Sequence, residues 1–132
     1  MNRIALDNRA AIEQLVTNFY SKVKKDNLLG PIFNNAENFS WDTHLPIMFN
    51  FWETILLDKP KYRGNTIAKH IELHRRTPLN EQHFRRWKEL FYETLDNEFE
   101  GPNVEKAHKK VEAIAGLMQY KLQESSKKGF IQ

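Results

Sequence analysis

Apolar residues along this chain recur every three or four positions, the period of a helix with one buried face. Ile12, Leu15, Val16, Phe19 and Val23 begin the pattern behind Asp7, which predicts a first helix with Asp7 as N-cap and an end near Asp26-Asn27. Gly30 and Pro31 then break the helix, and Leu28, Leu29, Ile32 and Phe33 around them are expected to pack inward as a corner. Asn34 to Ser40 reads as loop. The period returns with Leu45, Met48, Phe49, Trp52, Ile55 and Leu56. Pro46 has no N–H to donate, so it is expected in the first turn of this helix, which sets the start at Asp42 or Thr43. Lys59-Pro60 and Arg63-Gly64-Asn65 end it, and a short helix from Thr66 to about Arg75 carries Ile67, His70, Ile71 and His74 on one face. Asn80 is placed to cap a further helix whose buried stripe is Phe84, Trp87, Phe91 and Leu95. Gly101-Pro102 separates it from a last helix lined by Val104, Ala107, Val111, Ile114, Ala115, Met118 and Leu122. No segment alternates with period two, so the fold class is all-α.

At 132 residues the chain has the length of a single domain, with residues 1–9 and 124–132 expected as loose ends. It contains no cysteine, which excludes disulfides, zinc-thiolate sites, iron–sulfur clusters and a cysteine nucleophile. The first residues lack the apolar run of a secretory leader and no stretch approaches the length of a membrane span, so the expectation is a cytoplasmic protein without membrane contact. Lys and Arg number 20 against 17 Asp and Glu, and the basic residues fall in scattered pairs such as Arg75-Arg76, Arg85-Arg86 and Lys109-Lys110. That distribution suits a solvated helical surface better than a nucleic-acid face.

Aromatic residues make up 12% of the chain, so either the core is unusually aromatic or it wraps something flat. The histidines carry what chemistry is visible. His44 shares a face with Met48, Phe51 and Ile55, and His70 with Ile67, Ile71 and His74, yet a histidine on an apolar face is more often a core residue than a ligand. His70 and His74 have the spacing of a metal pair, but Glu72 does not directly follow the first histidine as a zinc protease motif requires, and no third ligand is evident nearby. His83 and His108 lie among charged residues and read as surface histidines. Nucleophile elbows, phosphate-binding loops and dinucleotide fingerprints are missing from the sequence. Spacing alone leaves His70 no better placed than His74.

Taken in order, Phe19-Tyr20, Leu29-Gly30-Pro31-Ile32-Phe33, Trp41-Asp42-Thr43-His44, Phe51-Trp52 and Leu56-Leu57 resemble the first half of a truncated haemoglobin. Tyr62-Arg63-Gly64-Asn65 with Ala68-Lys69-His70-Ile71-Glu72-Leu73 resembles the proximal histidine segment of that family. Thr77-Pro78-Leu79 with His83-Phe84-Arg85-Arg86-Trp87 resembles the entry to its next haem-facing helix. The resemblance covers about residues 10 to 122. It is closest to the third group, which lacks the paired glycines of the other two, as this chain does.

The resemblance implies a globin-like, two-over-two helical sandwich around haem b, with His70 as the iron ligand. Its distal side would hold Tyr20, His44 and Trp87, with Phe33, Met48 and Phe51 as apolar walls. Arg63, Arg75 and Arg76 lie near His70 in sequence and are the candidate partners of the haem propionates. The implied ligand is a diatomic gas: oxygen, nitric oxide or carbon monoxide. Two hydrogen-bond donors beside it favour slow release, hence nitric oxide dioxygenase-like or peroxidase-like chemistry with an external reductant, in a monomer or weak dimer. An oxygen carrier, a gas sensor without turnover and a haem-free helical interaction module are the competing readings.

Overall fold

The computed structural model describes residues 2–34, 40–59 and 79–126, with side chains through residue 124. Helix α1 spans Arg9–Lys25 and starts one residue later than expected, because Asn8 rather than Asp7 is the N-cap and accepts from Ala11 N at 2.9 Å. Its stripe of Ile12, Leu15, Val16, Phe19, Tyr20 and Val23 is buried throughout, and Lys22, Lys24 and Lys25 complement the negative end of the helix dipole. The chain then turns at Asp26, whose carboxylate accepts from the N–H groups of Leu28 and Leu29 at 3.1 and 3.0 Å. The expected corner carries a helix of its own, α2 (Gly30–Asn34), with Leu29 and Ile32 buried. Gly30 is required there, since a Cβ would stand 2.7 Å from the carbonyl oxygen of Lys24.

Helix α3 spans Trp41–Leu57, so Pro46 lies in its second turn and not in the first. The helix tolerates it at the cost of one backbone bond, to the carbonyl of Asp42. Met48, Trp52 and Leu56 are buried as their spacing implies, and so is Glu53. This carboxylate escapes the polar face because Arg9 of α1 reaches it at 2.8 Å, while the same guanidinium also meets Asn50 and Glu13. Asp58 ends α3 in the left-handed conformation at φ 58°. The expected short helix from Thr66 to Arg75 lies outside the described residues.

Helix α4 (Glu81–Glu98) begins at the expected Asn80, and α5 (Pro102–Ser126) follows Gly101, which has φ of 105°. Between them Phe99–Glu100 forms β2, paired in parallel with β1 at Ile4–Ala5, in the register Ile4 with Phe99 and Ala5 with Glu100. This pairing, continued by Leu6 N–H donating to Glu100, buries Leu6 to 1% exposure. Residues 4–6 are thus paired with the segment before α5, and the helical span of α5 runs to Ser126.

Helix α1 packs on both α3 and α4, α4 packs on α5, and α3 touches α5. The pair α1 and α3 thus lies over the pair α4 and α5, the expected all-α, two-over-two arrangement. Two apolar clusters result. The larger joins α1, α3 and the C-terminal part of α4, and a smaller one of Phe84, Ala115, Met118 and Leu122 joins α4 to α5. Among the described residues no helix is long and apolar enough to cross a membrane.

Candidate functional site

A cleft is lined by residues of both clusters. It encloses a cavity of about 70 Å³. Each helix contributes to its walls: Tyr20 from α1, Phe33 from α2, His44, Met48 and Phe51 from α3, Trp87 from α4 and Met118 from α5. The expected distal group thus converges on one place although its members span nearly seventy positions. A second hollow, lined by Arg9, Glu53, Asp58 and Lys106, is polar and crossed by ion pairs. It has no aromatic wall, and the apolar cleft is the better candidate.

Tyr20 is buried, at 6% exposure. Its ring is held by edge contacts to Phe19 at 4.7 Å and His44 at 5.1 Å, and by a tilted contact to Trp41 at 5.4 Å. Burial pushes the Tyr20 phenol well above its ordinary pKa of 10, and the Trp87 indole only partly offsets that. The phenol is therefore protonated at neutral pH. The Tyr20 hydroxyl can donate or accept and the Trp87 indole N–H can only donate, so the two residues bring two potential donors to the wall of the cleft. Trp87 is fixed in turn by Phe19 at 5.9 Å and Phe91 at 5.8 Å. Trp41, half-buried, stands behind Tyr20 and His44 and is capped by the Lys24 ammonium at 5.0 Å.

His83 corrects the sequence reading. It closes a capping box, accepting from Asn80 N at 2.9 Å through Nδ1 while the Asn80 side chain accepts from Gln82 and His83. The ring is half-buried, its pKa is lowered by that burial, and it borders the cleft. Phe84 and Met118, read as ordinary stripe residues, also face the cleft. Their helical spacing put them on the buried side; nothing in that spacing says that the buried side is hollow. His108 keeps a surface role, 2.7 Å from Asp96 and stacked on Tyr92 at 4.3 Å. His70, His74, Arg63, Arg75 and Arg76 lie outside the described residues. Among the described residues no group of three histidine or acidic side chains could hold a metal.

The sequence profile of the bacterial-like globins matches residues 4–120. The chain is 40% identical over 92 residues to Group 3 truncated hemoglobin ctb of Campylobacter jejuni, a match spanning 67% of this chain and 70% of the relative. Its structure superposes on the crystal structure of group III truncated hemoglobin from Campylobacter jejuni with a TM-score of 0.81 at 31% identity, covering 99% of this chain and 100% of the other.

Proposed function

We propose that this chain, which belongs to the bacterial-like globin family, binds haem b in the apolar cleft and retains a diatomic ligand there for redox chemistry, with nitric oxide oxidation or peroxide reduction as the reaction class. Family membership and the likeness to a group III truncated haemoglobin support haem and gas binding in general. The residues of the cleft support the rest.

The cleft suits a flat, apolar macrocycle. Phe33, Phe51, Phe84, Met48 and Met118 present carbon and sulfur, and Tyr20, Trp87 and His44 add a few polar atoms to the same wall. His70 is the iron ligand by the resemblance. When bound, haem supplies an iron with one open coordination position and the capacity to exchange electrons.

The observation that carries the reading is that Tyr20 and Trp87, two potential donors, both line the apolar cleft with the Tyr20 ring packed against Phe19, Trp41 and His44. Burial keeps the Tyr20 phenol neutral, so it brings an O–H donor to a low-dielectric pocket where a partially negative ligand has few other partners. Such a hydrogen bond contributes about 1 kcal/mol, rising to about 3 with a charged partner, which slows release by roughly fivefold to a hundredfold. Phe19, Trp41 and His44 hold the Tyr20 ring in place, so the hydroxyl is preorganised. Slow release favours conversion over delivery, and the electrons come from an external reductant.

Stopped-flow measurement of oxygen release tests this. Replacing Tyr20→Phe together with Trp87→Phe should speed release by about ten- to a hundredfold. An unchanged rate in the double variant sinks the role given to both residues. Slow release without turnover of nitric oxide or peroxide, with reductant supplied, would leave a carrier or sensor.

A further inference from the structure

Tyr20, His44, Trp87 and His83 all bring polar groups to the wall of the cleft. On α4, His83 stands one turn before Trp87, about 6 Å along the helix axis, half-buried and lining the cleft.

The imidazole does more than the cap needs. Its Nδ1 accepts the Asn80 N–H, which puts the ring proton on Nε2 and leaves that N–H outside the capping box. A glutamate or glutamine would close the same box with a carbonyl or carboxylate oxygen. What histidine adds is a donor edge where apolar cleft meets water. The neighbouring cations are already engaged: Arg86 pairs with Asp26 at 2.7 Å and Glu89 at 3.4 Å, and Arg85 with Glu81 at 3.0 Å.

Haem is amphiphilic. Its ring belongs in the apolar part of the cleft and its two propionates belong at the solvent edge, where an unpaired carboxylate meeting apolar surface is costly. Resting on the haem-binding reading above, we infer that His83 Nε2–H donates a hydrogen bond to a haem propionate at the mouth of the cleft. The residue is then at once the N-terminal lock of α4 and a clamp on the cofactor, so haem binding and ordering of the first turn of α4 reinforce each other.

Haem transfer to an excess of a high-affinity apoglobin scavenger tests the inference, with each protein loaded either with iron protoporphyrin IX or with its dimethyl ester, which has no carboxylate. His83→Glu keeps the capping acceptor, so the haem-free variant should melt with the wild type. It should lose the free-acid haem about tenfold faster or more, because a second carboxylate faces the propionate. His83→Ala should lose it about fivefold faster. With the ester both ratios should fall to about one. A ratio that is the same for the two haems, or a His83→Glu variant that retains free-acid haem as well as the wild type, overturns the clamp. Failure of the wild type to take up either haem overturns the haem reading itself, and the wild-type arm reports that separately.

Discussion

The two ends of α4 carry the same kind of sequence and meet opposite surroundings. Towards the C-terminal end, Phe91 and Leu95 are fully buried, with Phe19 and Trp52 packed on Phe91 at 4.8 and 4.9 Å. Towards the N-terminal end, Phe84 and Trp87 stand on the same stripe but look into the cleft, and Trp87 packs at the edge of both apolar clusters. One helical period thus builds a filled core at one end and a ligand wall at the other. What differs is the partner. Phe91 meets α1 and α3, whereas the first turns of α4 share with α5 only a small cluster. Stability is concentrated in the filled end, and the open end keeps donors and apolar surface for something the chain does not itself supply.

The largest expected effect breaks or sustains this division. Phe91→Ala should lower the stability of the haem-free chain by about 3–5 kcal/mol in urea denaturation, since nothing nearby can fill the void. Phe84→Ala removes the same ring from a wall that already borders empty space, and should cost under about 3 kcal/mol. Equal losses would mean that the cleft is closed in solution and that the contrast along α4 is false.

A smaller effect tests what joins the open end to the rest. Asp26, with 6% of its side chain exposed, holds the α1–α2 corner and takes Arg86 of α4 at 2.7 Å. Burial opposes its ionisation, but the N–H of Leu29, the Arg86 guanidinium and the N–H of Leu28 outweigh that, and its pKa lies below the ordinary 3.8. A carboxyl with a lowered folded-state pKa stabilises the fold above its unfolded pKa and loses that contribution as pH falls through the folded value. Asp26→Asn should therefore cost about 1–3 kcal/mol at pH 7, and the difference from wild type should shrink below the ordinary carboxyl pKa. A gap that persists undiminished in acid would place the effect in packing rather than in the ion pair.

The same division governs what could be read from the sequence. Within helices the period located the buried residues of α1, residue type located the Asn80 cap, and the resemblance to a truncated haemoglobin named Tyr20, His44 and Trp87, which line one cleft. Features that depend on a distant partner were not legible. Glu53 is buried because Arg9 stands 44 positions away, and Leu6 because Ile4–Ala5 pair with residues near 100. His83 looked like surface because Gln82, Arg85 and Arg86 surround it, and only the cleft built by distant helices gives its ring an inner side. Asp7 and Asn8 are both good caps, and the choice between them rested on the bond to Ala11.

Caps offer the finest test of the contrast, because each end of it has one. Asn8 caps α1, whose buried face is the filled core, through a single bond to Ala11 N. Losing that bond weakens an element that cannot fray without exposing the core, so Asn8→Ala should cost about 1 kcal/mol of global stability. Asn80 satisfies the N–H groups of both Gln82 and His83, and by bond count its loss should be the worse. The first turn of α4, however, has Glu81 and Gln82 exposed and an open cleft behind it, so in the haem-free chain it can unwind while Phe91 stays packed. Asn80→Ala should therefore lower global stability by less than about 1 kcal/mol and instead speed amide exchange at Gln82 and His83. If the two variants lose the same global stability and these amides still exchange only with the core, the first turn of α4 belongs to the filled end after all.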